Sequence, residues 1–236
     1  MVRRSALVVR GGWEGHVPRE ATELFIPFLS AQGFDVRVEE TPEVYAAPDA
    51  MAPVDLIVPC VTMSEIAADQ VAGLRRAVAS GAGMVGWHGG IVDSYRANAE
   101  YLQLVGGQFV AHPRVATGVE RLPGQESWPD HTIDLTEAGR RHPVTSGLTD
   151  FPLRTEQYWV LSDALNDVLA TTTHPAEPGA AWSRPLTCPA VWTRQWGAGR
   201  IVVITPGHDV PTLQERSVRT IIERGMLWAA RTASAS

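Results

Sequence analysis

The sequence predicts an α/β protein built on a mostly parallel β-sheet with helices on both faces. Two observations lead to this prediction. Short runs rich in β-branched residues alternate along the chain with segments of helical pattern, as in folds that cross over between parallel strands. Several of these runs are apolar at every position, which is typical of a strand buried on both faces.

The first half of the chain supplies four strands and two helices of this pattern. The strands are predicted at 6–9, 34–38, 55–59 and 84–87. Pro18 opens an amphipathic helix that continues to about Gln32, and Gly33 closes it, because proline is favoured just inside a helix start and glycine just past a helix end. A second helix is predicted at 70–80, with Gly81 as its stop.

The second half is less regular. Five strands are expected there, the first two paired near an edge of the sheet: 115–121, 131–135, 168–173, 189–194 and 201–204. A helix is predicted at 98–105, a turn with a short extended piece at 106–113, and one long terminal helix at 213–230. Because the chain shows no internal repeat and no clear linker, we predict a single domain, residues 1–236.

Composition excludes several classes of function. All 20 cationic residues are arginine, so no mechanism can use a lysine base or Schiff base. The net charge of -6 argues against a nucleic-acid partner, and the apolar run that ends at Arg10 is too short for a secretion signal or a membrane span. Cys60 and Cys188 form no CxxC pair and are interpreted as reduced, buried thiols. We therefore expect a cytoplasmic protein without a membrane partner.

Three histidines follow predicted strands: His16, His88 and His208. Ligands of open α/β sheets bind at the carboxyl ends of the strands, and imidazole serves both proton transfer and metal binding near neutral pH. One such histidine alone is more often structural. Three at equivalent strand ends favour a functional cleft, because sheet geometry brings those ends together.

The segment Gly86-Trp87-His88-Gly89-Gly90 carries the most information about this cleft. Glycines on both sides of a residue at a strand-to-helix turn permit a sharp elbow that presents the central side chain, as in enzymes with a nucleophilic serine or cysteine there. Here the central residue is histidine. A glycine-rich turn in which His88 caps a helix is the structural alternative.

The chain resembles the ThuA family of trehalose-utilisation proteins, from the GGWEGH loop near residue 11 to Trp228. Five motifs in order carry the resemblance: GMVGWHGG, YLQLVGGQFVAHP, HPVTSGL with TEQYW, PAVWTRQWGAGRIVVITPGHD and RGMLWAA. The resemblance implies a flavodoxin-like, class I glutamine amidotransferase-like three-layer sandwich and a role in the catabolism of trehalose and related disaccharides. His88 then stands where amidotransferases keep their cysteine, and His208 stands near the position of their histidine base. Neither cysteine of this chain lies in an elbow, which argues against glutaminase activity.

Further site residues come from the same motifs. His112 matches a family motif, although His-Pro also simply shapes turns; Glu156 and Tyr158 share one face of an extended segment, although Glu156 could belong to an ordinary ion pair. Asp209 could orient the adjacent histidine or cap the final helix, and Trp13 could stack on a sugar ring. The predicted catalytic residues are His88, His208, Glu156 and His112, and the predicted substrate-binding residues are Trp13, His16, Tyr158 and Asp209.

The leading hypothesis is an enzyme that acts on a 3-keto sugar or a related trehalose-type glycoside by acid–base chemistry of His88, His208 and Glu156. A ketone acidifies the neighbouring C–H, so a histidine or carboxylate base suffices. A variant of this hypothesis adds a divalent metal such as zinc, held by His88, His208 and either His112 or Glu156. No HxH or HExxH spacing supports a metal by itself, so the sequence leaves this variant open.

Two other classes are weighed against this enzyme. The alternative is a non-catalytic sugar-binding or regulatory module on the same fold. A serine hydrolase is disfavoured, because neither Ser64 nor Ser94 lies in a glycine elbow. The expected partner is a small-molecule sugar, and a homodimer is plausible for such a domain.

Overall fold

The computed structural model describes residues 3–112, 128–176 and 182–231. Eleven strands are formed in these ranges: β1 Arg4–Gly12, β2 Phe34–Glu39, β3 Leu56–Thr62, β4 Gly83–Trp87, β5 Gly107–Ala111, β6 Asp130–Leu135, β7 Phe151–Arg154, β8 Trp159–Ser162, β9 Asp167–His174, β10 Leu186–Trp196 and β11 Gly199–Ile204. Nine α-helices are formed there: α1 Pro18–Glu23, α2 Ile26–Ala31, α3 Pro48–Met51, α4 Ala68–Ala79, α5 Gly89–Val92, α6 Ala99–Val105, α7 Glu137–Arg141, α8 Val210–Gln214 and α9 Arg216–Ala229. Two 3-10 turns cover Glu14–His16 and Pro42–Ala46.

Nine of the strands form one sheet, in the order β2-β1-β3-β4-β11-β10-β9-β6-β7. In this order the first five strands, β2, β1, β3, β4 and β11, are parallel to one another. The last four strands, β10, β9, β6 and β7, continue the sheet with antiparallel pairing. β5 and β8 pair separately as a small antiparallel sheet. The prediction of an α/β sandwich of flavodoxin type is confirmed, with a parallel half that carries the helices on both faces.

The two faces of β1 show why this sheet needs a helical layer on each side. Ala6 and Val8 point into a core shared with α1, α2 and α9, whereas Leu7 and Val9 point into a second core shared with α4 and α6. Successive side chains of a strand alternate between faces, so an uninterrupted apolar strand requires apolar layers on both. The central parallel strands are therefore packed on both faces, and their carboxyl ends lie at the same edge of the sheet.

The predicted helix from Pro18 to about Gln32 is wrong as a single element. The structure has two helices, α1 and α2, interrupted after Glu23. Pro27 explains the interruption: it has no N–H to donate to the carbonyl of Glu23, and its ring would collide with that carbonyl in a continuous helix. It is accommodated instead in the first turn of α2.

The predicted terminal helix 213–230 is likewise two helices, α8 and α9. Glu215 separates them with an extended backbone, ψ 133°, and its carboxylate accepts hydrogen bonds from the N–H groups of Ser217 (2.7 Å) and Val218 (3.0 Å). These are donors that a helix start leaves unpaired, so the side chain fixes the start of α9.

The remaining predicted elements are present within one to three residues of their expected ends, except the strand 115–121, which lies outside the described residues. Its expected partner is β6, which pairs with β7 and β9 beside the sheet edge. The short elements α3, α5, α7, β7 and β8 were not predicted. Within the described ranges, no helix combines the length and apolar character needed to cross a bilayer.

Candidate functional site

Three histidine rings meet at the carboxyl edge of the parallel half. His16 ends the turn after β1, His88 follows β4, and His208 follows β11. Their ring centroids are separated by 4.6 Å (His16 to His88), 5.3 Å (His16 to His208) and 5.4 Å (His88 to His208). The three residues singled out from their positions after strands are therefore in mutual contact.

His88 occupies a sharp elbow between β4 and α5. Its backbone has φ 50° and ψ -142°, a region that non-glycine residues rarely adopt and that costs on the order of 1–3 kcal/mol. The flanking glycines make room for the turn: a Cβ on Gly86 would lie 2.7 Å from Cβ of Ile91, and one on Gly90 would lie 2.9 Å from Cα of Cys60. The elbow that the glycine pattern indicated is thus formed, with histidine at its apex.

The hydrogen bonds of His88 define its tautomer. Nδ1 lies 2.8 Å from the carbonyl oxygen of Thr205, which only accepts, so Nδ1 carries the proton and donates. Nε2 faces the Tyr158 hydroxyl at 2.7 Å and Oε2 of Glu156 at 3.0 Å. Burial lowers the pKa of His88, against the opposing influence of Glu156, and burial raises the pKa of Tyr158, so the phenol keeps its proton.

Glu156 lies between β7 and β8 and joins the histidines into one cluster. Besides His88, its Oε2 is 3.4 Å from Nδ1 of His208, and its Oε1 is 3.9 Å from Nε2 of His112. Burial alone raises the pKa of this carboxyl, but hydrogen bonding and charge interactions with His208 and His88 outweigh it and hold the pKa well below its usual range. Glu156, which contacts His88, His208 and His112, is therefore ionised at neutral pH.

His16 forms a hydrogen bond with Thr62. Its Nδ1 lies 3.0 Å from the Thr62 hydroxyl, and the ring packs edge-on against Trp13, with centroids 4.8 Å apart. Burial, followed by the neighbouring His88 and His208, lowers the pKa of His16 to about 2. The imidazole is therefore neutral, with a ring nitrogen available as a lone-pair donor.

A cavity of about 150 Å³ opens beside this cluster. It is lined by Trp13, His16, Met63, Asp93, Arg96, Phe109, His112, Glu156 and Tyr158. The cavity combines apolar walls with charged and hydroxyl groups, as small-molecule sites do. A larger cavity of about 340 Å³ lies against α3 and α4, but none of the described residues that line it is a histidine or a carboxylate, so we place the candidate site at the smaller one.

Some lining residues were not predicted from the sequence. Asp93 is buried and forms a two-point ion pair with Arg96, in which Nη2 donates to Oδ2 at 2.8 Å. Their signal was a pair of opposite charges directly after the glycine elbow. Phe109, which lines the cavity and contacts Tyr158, carried no signal, and neither did Trp128, which contacts His208 outside the cavity lining, since these contacts depend on how separate loops meet.

Two predicted residues stand apart from the cluster's chemistry. Asp209 accepts a hydrogen bond from the N–H of Thr212 at 2.8 Å and so caps α8, the second of the two roles considered for it. Trp13 is 47% exposed and forms an outer wall of the cavity. Cys60 is buried and free, and burial raises its pKa to about 12, so it supplies no thiolate at neutral pH.

The cluster also has the composition of a metal-binding group. His16, His88, Glu156 and His208 each offer one ligand atom, and these atoms all lie within 4.8 Å of one another. His112 is not part of this group, because it lies on the cavity side of Glu156.

A sequence model of the ThuA family, described as trehalose utilisation, matches residues 5–229. Among solved structures, a ThuA-like protein from Parabacteroides merdae aligns with a TM-score of 0.72 and 18% identity, over 99% of this chain and 93% of that one. A ThuA-like protein from Bacteroides uniformis gives 0.70 and 17%, over 95% and 90%. A cytoplasmic protein from Salmonella typhimurium LT2 gives 0.62 and 13%, over 97% and 100%. No curated protein matches the sequence.

Proposed function

This chain belongs to the ThuA family of trehalose utilisation, a part of carbohydrate metabolism, and we propose that it is an enzyme acting on a 3-keto sugar or a related trehalose-type glycoside. The observation that carries the proposal is the contact of the Glu156 carboxyl group with His88 and His208, directly beside a cavity that His112 lines. This arrangement provides proton donors and acceptors within reach of one bound molecule.

The cavity suits one sugar ring. Its volume is below the usual range for drug-sized ligands, about 300–1,000 Å³, which leaves room for a single monosaccharide unit. Trp13 and Phe109 offer aromatic faces for the apolar side of the ring, and Asp93, Arg96 and His112 offer partners for hydroxyl groups. The second unit of a disaccharide would extend outward past the exposed Trp13.

The chemistry that fits these groups is proton abstraction next to a ketone. With a carbonyl at C3, a base removes the proton from C2, the electron pair forms the C1=C2 double bond, and the C1–O bond breaks. The departing oxygen takes a proton from an acid in the site, so atoms and charge balance. Neither a nucleophile nor a redox cofactor is needed for this step, in keeping with a chain that has no lysine and a buried Cys60 thiol.

We assign the proton transfers to His112 and to the network beneath it. His112 is the most accessible histidine of the site, with 34% of its side chain exposed, against 12% for His208 and 1% for His88. Glu156 has too low a pKa to be an effective base, so its role is to orient the histidines and to balance positive charge.

The proposal is tested with 3-keto-trehalose and 3-keto-glucosides in deuterated water, followed by NMR. We expect loss of the C2 proton signal together with release of the second sugar, and a fall in rate of about 100-fold or more in His112→Gln and in Glu156→Gln. His142→Gln is the matched control and should keep full activity, because the His142 ring packs on Trp228 instead.

Two results would change the conclusion. Turnover that is equal in all three variants would remove these residues from the mechanism. Saturable binding of the keto sugar, without exchange of the C2 proton or formation of product, would favour the non-catalytic sugar-binding module.

Location and assembly complete the proposal. We place the protein in the cytoplasm, because Cys60 and Cys188 are free and buried, and because a Salmonella relative in fold is named as cytoplasmic. Its ligand is a small sugar, and a homodimer is the proposed assembly, which light scattering of the purified protein measures directly.

A further inference from the structure

We propose that His16, His88, His208 and Glu156 together bind one divalent transition-metal ion of the zinc class at the floor of the cavity. The inference deepens the proposed function and rests on it for the role of the ion, although the binding site itself follows from geometry alone. The four residues come from four separate loops. Each offers one ligand atom, and these atoms all lie within 4.8 Å of one another.

The first argument is the direction of the lone pairs. Nδ1 of His88 donates to Thr205, so in the neutral ring Nε2 carries the lone pair. This lone pair faces a carboxylate oxygen of Glu156 at 3.0 Å. Nδ1 of His208 lies 3.4 Å from the same oxygen and is buried, with no hydrogen-bond partner among the described residues. The single hydroxyl proton of Tyr158 can satisfy only one of these acceptors. A cation at the centre satisfies all of them.

The second argument is distance. Four ligand atoms about 2.0–2.2 Å from a tetrahedral zinc ion are about 3.3–3.6 Å from one another. Two pairs in the cluster already measure 3.0 and 3.4 Å, and none exceeds 4.8 Å. Rotations of the side chains therefore suffice to complete the coordination.

The third argument is the support behind the ligands. Histidines that bind metals usually give their second ring nitrogen to a carbonyl, carboxylate or similar group, which fixes the ring. His88 does this with the Thr205 carbonyl, and His16 places Nδ1 against the Thr62 hydroxyl. Three imidazoles with one carboxylate suit zinc or a similar transition metal rather than calcium or magnesium. Such an ion would polarise the carbonyl oxygen of a keto sugar in the adjoining cavity.

The experiment uses the full chain without a histidine tag. Metal content is measured by mass spectrometry after purification, the protein is stripped with a chelator, and Zn²⁺ is titrated by calorimetry. Co²⁺ serves as a spectroscopic probe of tetrahedral coordination. We expect one ion per chain, and affinity reduced by about 100-fold or more in His16→Ala, His208→Ala and the isosteric Glu156→Gln. His142→Gln should bind as the unaltered protein does.

Binding that is absent, or equal in His16→Ala, Glu156→Gln and His142→Gln, overturns the inference; circular dichroism verifies that each variant is folded. Failure of the metal site and failure of the proposed function give different results. If the protein turns over keto sugar but binds no metal, the metal site alone is overturned. If it binds one ion tightly but shows no turnover, the metal site is supported and the enzymatic role is removed.

Discussion

Gly89 faces the ring of His16 so closely that no side chain fits between them. A Cβ at this position would lie 2.5 Å from Nδ1 of His16 and 3.0 Å from Cγ2 of Thr62. A Cβ atom in a folded protein essentially never lies within 3.0 Å of a non-bonded heavy atom, so an added methyl group must displace the imidazole. The glycine therefore has a role at the site as well as in the turn.

We predict that Gly89→Ala reduces turnover and metal affinity by about 10-fold or more while destabilising the fold by only about 1–3 kcal/mol. Calorimetric titration and urea unfolding measure the two effects separately. Gly33→Ala is the control: its φ of 83° strains alanine, but nothing lies within 4 Å, so it should lower stability and leave the site unchanged. A fully active Gly89→Ala protein would contradict this account of His16.

Among single residues, the sequence predicted those of the cluster that follow strands. It missed those that come close to the cluster only when separate loops pack together. His16, His88 and His208 could be predicted because parallel strands bring their ends together. Glu156 and Tyr158 came from motif resemblance. Asp93 and Arg96 could not be placed, because a charge in a loop has no preferred partner until the loop is folded.

At the scale of elements, Arg194 on β10 connects segments that are distant in the chain. Its guanidinium is buried and donates to Asp163 at 2.7 Å, to Asn166 at 2.9 Å and to the carbonyl of Gln103 at 2.9 Å. It thereby joins α6 to the loop between β8 and β9. The hydrogen bond from Arg194 lowers the pKa of Asp163 in the folded protein.

We predict that Asp163→Asn lowers the free energy of unfolding at pH 7 by about 1 kcal/mol, a modest value because Asp163 is 45% exposed to solvent. The sign of the pH dependence follows from the lowered pKa. The stabilisation is present above the unfolded-state pKa of about 3.9 and is lost as pH falls through the folded-state pKa. Urea unfolding between about pH 6 and pH 3 should therefore be less pH-dependent in the variant than in the original protein.

Asp35→Asn, an exposed change on β2, is the control for the loss of one carboxylate. Parallel profiles for the Asp163 variant and the original protein would show that the ion pair contributes nothing to stability.

The elements that were mispredicted share one physical cause. Apolar periodicity continues across the breaks before α2 and α9, so it cannot reveal them. The breaks are decided by single residues: Pro27 by its missing N–H, and Glu215 by a carboxylate that caps the following helix. Both are local signals: a proline inside a helical pattern indicates a break in the helix.

At the scale of the whole molecule, one sheet runs through both the parallel and the antiparallel halves. The parallel half was predictable, because four of its five strands, β1, β3, β4 and β11, contain continuous apolar runs. In the antiparallel half β6, β9 and β10 were predicted, whereas β7 was not, because a strand of four residues acquires its structure from the strand beside it. The site draws three histidines from the first half and Glu156 from the second.

We predict that the chain unfolds as the single domain inferred from its sequence. β10 and β11 pair along six residues, from Val191 opposite Ile204 to Trp196 opposite Gly199, so that neither half can lose its strands without disturbing the other. Thermal transitions followed by far-ultraviolet circular dichroism and by tryptophan fluorescence should coincide. Two separated transitions would instead divide the chain into two units.

The hydrogen bonds that fix His88 have a consequence for the time course of folding. They join residues 68 positions apart, at Glu156, and 117 positions apart, at Thr205. Contacts between such distant segments form late, because long stretches of chain must first lose their freedom. A chain still being synthesised therefore has secondary structure long before it has a site. The cluster becomes competent only once residue 208 has left the ribosome and β11 has paired with β4.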